Sequence, residues 1–134
     1  MESQSKEMDV VVGLVIYKGR LLLRQRKDAN PMWDRKWEFP GGKLEMSETE
    51  DEALRREFKE ELDIDIEIKK FICEVTHEYP RMKIKAKSYY VESENVQNLK
   101  KLVHEQVKWV KKDELLKIDM VEADKKIIKK ILEE

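Results

Sequence analysis

The sequence is poor in residues and runs that would crosslink a chain or hold it in a membrane, and each scarcity excludes a class of protein. Cys73 is the one cysteine among 134 residues, which excludes an intrachain disulfide and suits a reducing cytoplasm. No apolar run approaches the roughly 20 residues that a membrane-spanning helix needs. Few glycines and prolines are present, and no repeat, linker or low-complexity segment interrupts the chain. A formal net charge of −1 gives no general attraction to nucleic acid or to an anionic membrane.

These scarcities leave a small soluble protein as the expectation. A chain of 134 residues fits one domain that can bury a real core. We assign residues 9–134 to that domain and expect the polar residues 1–8 to be disordered. We further expect a cytoplasmic protein that takes a small-molecule substrate and binds neither nucleic acid nor membrane. The sequence leaves monomer and homodimer equally open.

A group of glutamates is the most informative feature that the sequence does contain. Glu57, Glu60 and Glu61 are spaced so that one helix places their carboxylates on one face, where like charges repel. In a chain of which 43% is charged, such a group is most often a solvated helix face. A Pro-Gly-Gly turn at 40–42 changes that balance, because it lets the backbone turn sharply and approach a ligand. The combination predicts a site for a hard divalent cation.

Local patterns in the first half of the chain predict two strands and a helix. Val10–Tyr17 and Arg20–Arg26 flank a turn and are expected to form a β-hairpin. Thr49 is the predicted N-cap of the next helix, and Glu52 completes a capping box with it. The apolar residues of this helix recur every four positions and are expected to face the core: Leu54, Phe58 and Leu62.

The second half of the chain predicts further strands and a closing helix. Strands are expected over Ile64–Thr76, Lys83–Val91 and Gln106–Val110, and a helix from Glu122 onwards. Strands of mixed type with a helix on either side favour an α/β/α sandwich. The residues expected to face inward are Ile84, Ala86, Ser88 and Tyr90 in the strand, and Ile127, Ile128, Ile131 and Leu132 in the closing helix.

The region around the glutamates resembles the Nudix box, Gly-x5-Glu-x7-Arg-Glu-U-x-Glu-Glu-x-Gly-U, in which U is a bulky apolar residue. Every charged position of the box is present. Phe58 is aromatic where the family usually has an aliphatic residue, and Asp63 replaces the final glycine; Asp tolerates the left-handed turn expected there. The resemblance extends over nearly the whole chain from about Asp9. The matching string is Gly42-x5-Glu48-x7-Arg56-Glu57-Phe58-x-Glu60-Glu61-x-Asp63-Ile64.

The resemblance implies a Nudix fold, an α/β/α sandwich with a mixed sheet and the box helix packed against it. It also implies hydrolysis of an acid anhydride with Mg²⁺ or Mn²⁺ as cofactor. Arg56 would hold a glutamate in position and act in catalysis, while Gly42 and Glu48 would support the box. The implied metal ligands are the carboxylates of Glu57, Glu60 and Glu61 and the backbone carbonyl of Gly41.

The general base is less sharply defined, because members of the family place it differently. Glu57 or Glu60 could deprotonate water within the box. Relatives often supply a further acid from the loop before a late tryptophan-containing strand, and here Glu105 occupies that loop. We nominate Glu105 as base or additional metal ligand, with His104 as a second choice. A loop pair that only contacts solvent is the alternative.

The prediction of the substrate depends on residues outside the box. The chain looks like the MutT-like branch, whose members convert nucleoside triphosphates to monophosphate and pyrophosphate in nucleotide-pool sanitation. By that resemblance Phe39 would border the base, Arg26 would lie near the ribose or phosphates, and Asp124 would recognise the base edge. An acidic residue there favours cytidine nucleotides, although it could equally be a plain helix-start acid. Oxidised nucleotides, ADP-ribose, dinucleoside polyphosphates and a non-hydrolysing nucleotide sensor remain alternatives.

Overall fold

The chain forms one mixed β-sheet with helices against both faces. The computed structural model describes residues 6–94, 96 and 107–134. The first strands and helix are β1 (Lys6–Tyr17), β2 (Arg20–Gln25), β3 (Trp37–Glu38), β4 (Gly41–Lys43) and α1 (Glu50–Leu62). The remaining elements are β5 (Glu67–Tyr79), β6 (Met82–Glu92), β7 (Val107–Lys111), a 3₁₀ helix (Lys112–Lys117) and α2 (Glu122–Leu132).

The described strands join in a seven-stranded sheet that is built around β1. The main path runs β3-β2-β1-β6-β5, with β4 paired to β1 and β7 paired to β2. β1 and β6 are parallel, whereas the other pairs are antiparallel. The predicted hairpin of β1 and β2 is confirmed, since Tyr17 pairs with Arg20. β1 thus brings β4, with its glycines, beside the middle of the sheet.

Alternation along the central strands divides the interior into two cores. Val11 and Val15 of β1 pack in the core that includes α1, whereas Val12 and Leu14 pack in the core that includes α2. Successive residues of a strand point to opposite faces, so α1 and α2 cover opposite faces of the sheet. The predicted α/β/α sandwich is confirmed.

The local signals that define α1 are all present in the structure. The Thr49 hydroxyl accepts from the backbone N–H of Glu52 at 3.1 Å, and the Glu52 carboxylate accepts from the N–H of Thr49 at 2.9 Å. Asp63 ends the helix in the left-handed conformation, with φ 55° and ψ 42°, as its place in the motif predicts. The predicted inward stripe is buried: Leu54, Phe58 and Leu62.

The structure corrects three sequence-based expectations. β1 begins at Lys6, so residues 6–8 pair with β6 and are not a disordered segment. Leu132 was predicted to face inward but is 38% exposed, because it is the last residue of α2 at the edge of the apolar stripe. The segment after Ile64 joins the sheet only from Glu67.

Membrane insertion was also assessed from the helices. Within the described ranges, neither α1 nor α2 is long and apolar enough to cross a bilayer.

Candidate active site

The site begins where β4 passes beneath α1, and glycine is required there for space. A Cβ atom on Gly42 would lie 2.3 Å from Cδ of Glu57, inside the carboxylate. A Cβ atom on Gly41 would lie 2.1 Å from the backbone oxygen of Val11 on the neighbouring strand. The two glycines therefore let the β4 backbone lie directly against a box glutamate on one side and against β1 on the other.

Arg56 is the centre of a hydrogen-bond network that joins α1 to the preceding loop. Its Nε donates to Glu48 at 2.6 Å, and its Nη1 donates to Glu57 at 2.9 Å and to Glu60 at 3.1 Å. Its Nη2 donates to the backbone oxygen of Lys43 at 3.0 Å. The hydrogen bond from Arg56 lowers the pKa of the Glu48 carboxyl. One guanidinium thus brings together Glu57 and Glu60, two of the predicted metal ligands.

A second arginine approaches the remaining ligands from the sheet. Nη1 of Arg24 donates to Oε2 of Glu61. Nη2 of Arg24 donates to the backbone oxygen of Gly41 at 3.2 Å and pairs with Glu38 at 3.0 Å. Because the Arg24 guanidinium contacts both Glu61 and the Gly41 carbonyl, these two groups lie close together. Ligands of the same metal ion have to be close, and both groups are predicted metal ligands.

Burial sets the protonation of these carboxyl groups. Desolvation raises the pKa of Glu61 to about 8, against the opposing effect of Arg24. Desolvation also raises the pKa of Glu57, although the hydrogen bond from Arg56 acts in the other direction. A nearby cation would favour the charged form of each buried carboxyl.

The donor set of this region fits a hard divalent cation. Across the described part of the chain, no three acidic, histidine or cysteine side chains converge as a preformed metal cluster. Oε1 of Glu61 is nevertheless buried and has no hydrogen-bond partner among the described residues. A buried oxygen left without a donor is costly unless a cation or water meets it, and carboxylate and carbonyl oxygens are what Mg²⁺ and Mn²⁺ prefer.

A cavity of about 470 Å³ adjoins these residues and extends toward the start of α2. Its walls include Gly41, Gly42 and Asp124. A volume of this size is in the range of small-molecule sites. The three residues that the sequence analysis assigned to substrate all line this one cavity: Arg26, Phe39 and Asp124.

Asp124 is fixed deep in the cavity wall. Its Oδ2 accepts from the backbone N–H of Phe39 at 2.9 Å, and the residue is 5% exposed. Desolvation raises the pKa of Asp124 to about 8, and the negative charge of Glu38 contributes in the same direction. The neutral carboxyl is therefore the favoured form at pH 7, which makes Asp124 a donor as well as an acceptor.

Aromatic and charged residues form the rest of the wall. The guanidinium carbon of Arg26 lies 4.8 Å from the ring centroid of Trp33, whose ring lies 4.4 Å from that of Tyr79. Arg26 also pairs with Asp28 at 2.6 Å and with Glu38 at 3.4 Å. The Arg26 side chain is thereby aimed along the cavity wall and not into open solvent.

Sequence reasoning missed three residues of this wall. Glu38 is 8% exposed, and it is the direct cross-strand partner of Arg24 between β2 and β3. Tyr79 accepts from the backbone N–H of Ala123 through its hydroxyl at 2.9 Å, which ties β5 to the start of α2. Arg24 and Glu38 are 14 residues apart in the chain and meet only through the pairing of β2 with β3, so no local pattern indicated their contact. Glu105 and His104, nominated for the general base, lie outside the described residues.

The chain was compared with known proteins. Residues 11–130 match the family model described as NUDIX domain. The chain is 29% identical over 119 residues to the CTP pyrophosphohydrolase of Escherichia coli strain K12, which covers 89% of this chain and 87% of that protein. It is 33% identical over 75 residues to the 8-oxo-dGTP diphosphatase of Proteus vulgaris, covering 56% of this chain and 67% of that protein.

A likeness to solved structures agrees with these matches. The crystal structure of the MutT protein from Methanosarcina mazei Go1 has a TM-score of 0.81 at 24% identity, covering 96% of this chain and 94% of that one, and so shares the fold. Because the family match spans most of the sequence, this chain belongs to the NUDIX domain family and is a Nudix-type hydrolase.

Proposed function

We propose that this chain hydrolyses a nucleoside triphosphate to a nucleoside monophosphate and pyrophosphate, with Mg²⁺ or Mn²⁺ as cofactor. The observation that carries the proposal is the single cavity that runs from the glycines below the box glutamates to Asp124. Its wall carries Gly42, which lies against Glu57, together with the charged Arg24, aromatic rings and the buried Asp124, and these groups can meet the phosphates and the base of a nucleotide. The names of two relatives, a CTP pyrophosphohydrolase and an 8-oxo-dGTP diphosphatase, support a nucleoside triphosphate as the substrate class.

The triphosphate is assigned to the end formed by β4 and α1. A divalent cation bound there would neutralise phosphate charge and polarise the phosphorus that water attacks. The carboxylates of Glu57, Glu60 and Glu61 and the Gly41 carbonyl would hold it. Arg56 keeps two of these carboxylates in place through hydrogen bonds of about 3 Å. Fixed ligands reduce the reorganisation that the reaction requires.

Proton removal from the attacking water is assigned to Glu57 or Glu60. Burial raises the pKa of Glu57, which makes its carboxylate a stronger base than an exposed glutamate. Glu60 is largely exposed and shares the Arg56 guanidinium with Glu57. Glu105 remains a proposed additional base or ligand on the grounds of its place in the sequence.

The base is assigned to the end formed by Phe39, Trp33 and Asp124. A neutral carboxyl group presents an acceptor and a donor side by side, and the amino group and N3 of cytosine present the complementary pair. The raised pKa of Asp124 makes that neutral form the common one at pH 7. Cytidine triphosphates are therefore the favoured substrates, and an oxidised purine nucleotide is the second candidate.

A substrate panel tests the proposal. CTP, dCTP, 8-oxo-dGTP and ADP-ribose are incubated with the protein and Mg²⁺, and the products are separated by anion exchange. We expect a nucleoside monophosphate and pyrophosphate, with the highest kcat/KM for CTP or dCTP. Asp124→Ala should lower that preference by roughly five- to a hundredfold, the discrimination of one bidentate base contact. Turnover of ADP-ribose alone would contradict the assignment.

A further inference from the structure

Arg24 is a charged residue of the cavity wall to which neither the box nor the substrate assignment gives a role. It lies on β2, outside the box, and its side chain is 15% exposed. It donates to Oε2 of Glu61 and to the backbone oxygen of Gly41, and it pairs with Glu38. Two of these three acceptors are proposed metal ligands, on different elements of the fold.

The two oxygens of the Glu61 carboxylate are in different situations. Arg24 donates to Oε2, whereas Oε1 is buried without a hydrogen-bond partner in the described part of the chain. A carboxylate held at one oxygen by a guanidinium keeps a fixed orientation and leaves its other oxygen available to a cation. The same guanidinium fixes the distance between Glu61 and the Gly41 carbonyl.

Arg24 therefore corresponds to Arg56 on the opposite side of the ligand set. Arg56 holds Glu57 and Glu60 from α1, and Arg24 holds Glu61 and Gly41 from the sheet. We propose that Arg24 is a positioning residue for the metal site, which orients Glu61 so that Oε1 meets the divalent cation. This inference rests on the proposed metal ligation by Glu61 and Gly41.

An opposite effect of Arg24 has to be weighed against this one. A guanidinium near a divalent cation repels it, so removal of Arg24 could strengthen metal binding. However, removal of Arg24 also leaves Glu61 as a buried carboxyl group without its ion-pair partner, and such a group rearranges or becomes neutral. Glu38 would keep its pair with Arg26. Glu38 and Glu61 are only 11% and 13% exposed, so little solvent reaches them to replace the hydrogen bonds of Arg24. We therefore expect the lost orientation of Glu61 to weaken metal binding more than the lost repulsion from Arg24 strengthens it.

Binding of Mn²⁺ to the protein without nucleotide tests the proposal. Free Mn²⁺ is measured by electron paramagnetic resonance for the wild type, Arg24→Gln, Arg24→Lys and Arg26→Gln, with folding checked by circular dichroism. We expect about tenfold weaker binding for Arg24→Gln, which corresponds to the loss of about 1.4 kcal/mol. Arg24→Lys should bind Mn²⁺ more tightly than Arg24→Gln but less tightly than the wild type. Arg26→Gln is the matched control, because Arg26 pairs with Glu38 but contacts neither Glu61 nor Gly41.

The outcomes separate this proposal from the one it rests on. Wild-type protein that binds no Mn²⁺ would overturn the metal site and the positioning role together. Wild-type binding with unchanged or tighter binding by Arg24→Gln would overturn the positioning role alone. An equal loss in Arg26→Gln would also overturn it, because weaker binding would then not depend on a contact with Glu61 or Gly41. If Arg24→Gln does not fold, partial weakening in Arg24→Lys relative to Arg26→Gln decides the question.

Discussion

Two buried carboxyl groups, those of Asp124 and Glu61, dominate the electrostatics at the scale of single residues. Desolvation raises the pKa of each to about 8. Asp124 lies at the end of the cavity assigned to the base, whereas Glu61 lies at the end assigned to the metal. Desolvation therefore favours the neutral carboxyl of Asp124, which can donate a hydrogen bond. The same desolvation means that Glu61 needs a nearby cation to favour its charged form.

The raised pKa of Asp124 has a consequence for stability. Between pH about 4 and about 8 the folded protein retains a proton that the unfolded chain has released. Stability of the protein in EDTA should therefore fall as pH rises through this window. Asp124→Asn removes this titration and keeps an oxygen that can accept from Phe39, so its melting temperature should depend less on pH. Thermal melts from pH 4 to 8 measure both slopes, and equal slopes would contradict the assigned pKa.

At the scale of elements, the site depends on how closely β4 approaches α1. Gly42→Ala would place a methyl group 2.3 Å from the carboxyl carbon of Glu57, so the carboxylate or the strand must move. We expect a loss of about hundredfold in turnover, similar to other displacements of ligands and their supports. Steady-state kinetics with saturating Mg²⁺ measure the change.

The control for that substitution is Gly19→Ala in the turn between β1 and β2. Gly19 has φ 75°, and a Cβ atom there would meet nothing within 4 Å. Gly19→Ala therefore carries a backbone cost of about 1 kcal/mol without a contact in the site. Turnover by Gly19→Ala should equal that of the wild type, and equal losses in both variants would show that backbone strain, not the Glu57 contact, is responsible.

The start of α1 gives a second prediction for this element. Thr49→Ala removes the hydroxyl that accepts from Glu52 and should cost about 1 kcal/mol of unfolding free energy. Glu52→Gln keeps an oxygen that can accept from Thr49 and should cost clearly less. Urea denaturation of the two variants and the wild type measures the difference. A larger loss in Glu52→Gln would contradict this account of the cap.

Elements defined by neighbouring residues were predictable, and those defined by distant pairing were not. The capping box of Thr49 and the buried stripe of α1 follow from spacing alone, and both are present. β3 has two residues and β4 has three, too few for any alternation to show. Their pairing with β2 and β1 places Glu38 beside Arg24, which no local pattern could indicate.

At the scale of the whole molecule, the site combines residues from both faces of the sheet, close to β4. α1 carries the box carboxylates on one face of the sheet. α2 lies on the other face and begins at Glu122, two residues before the buried Asp124. Phe39 connects them, since its backbone binds Asp124 two residues before Gly41. The sequence could predict that Phe39, Arg26 and Asp124 act together only through family resemblance, because they are far apart in the chain.

The central claim is that the box carboxylates support metal-dependent hydrolysis of a nucleoside triphosphate. The most direct measurement is the release of pyrophosphate and nucleoside monophosphate from CTP by the wild type, Glu61→Gln and Glu67→Gln, with Mg²⁺ and with EDTA. Glu67 is an exposed glutamate at the start of β5 and serves as the control. We predict turnover that needs Mg²⁺, a loss of about hundredfold or more in Glu61→Gln and no loss in Glu67→Gln. Equal turnover by Glu61→Gln and wild type, or turnover unaffected by EDTA, would contradict the account.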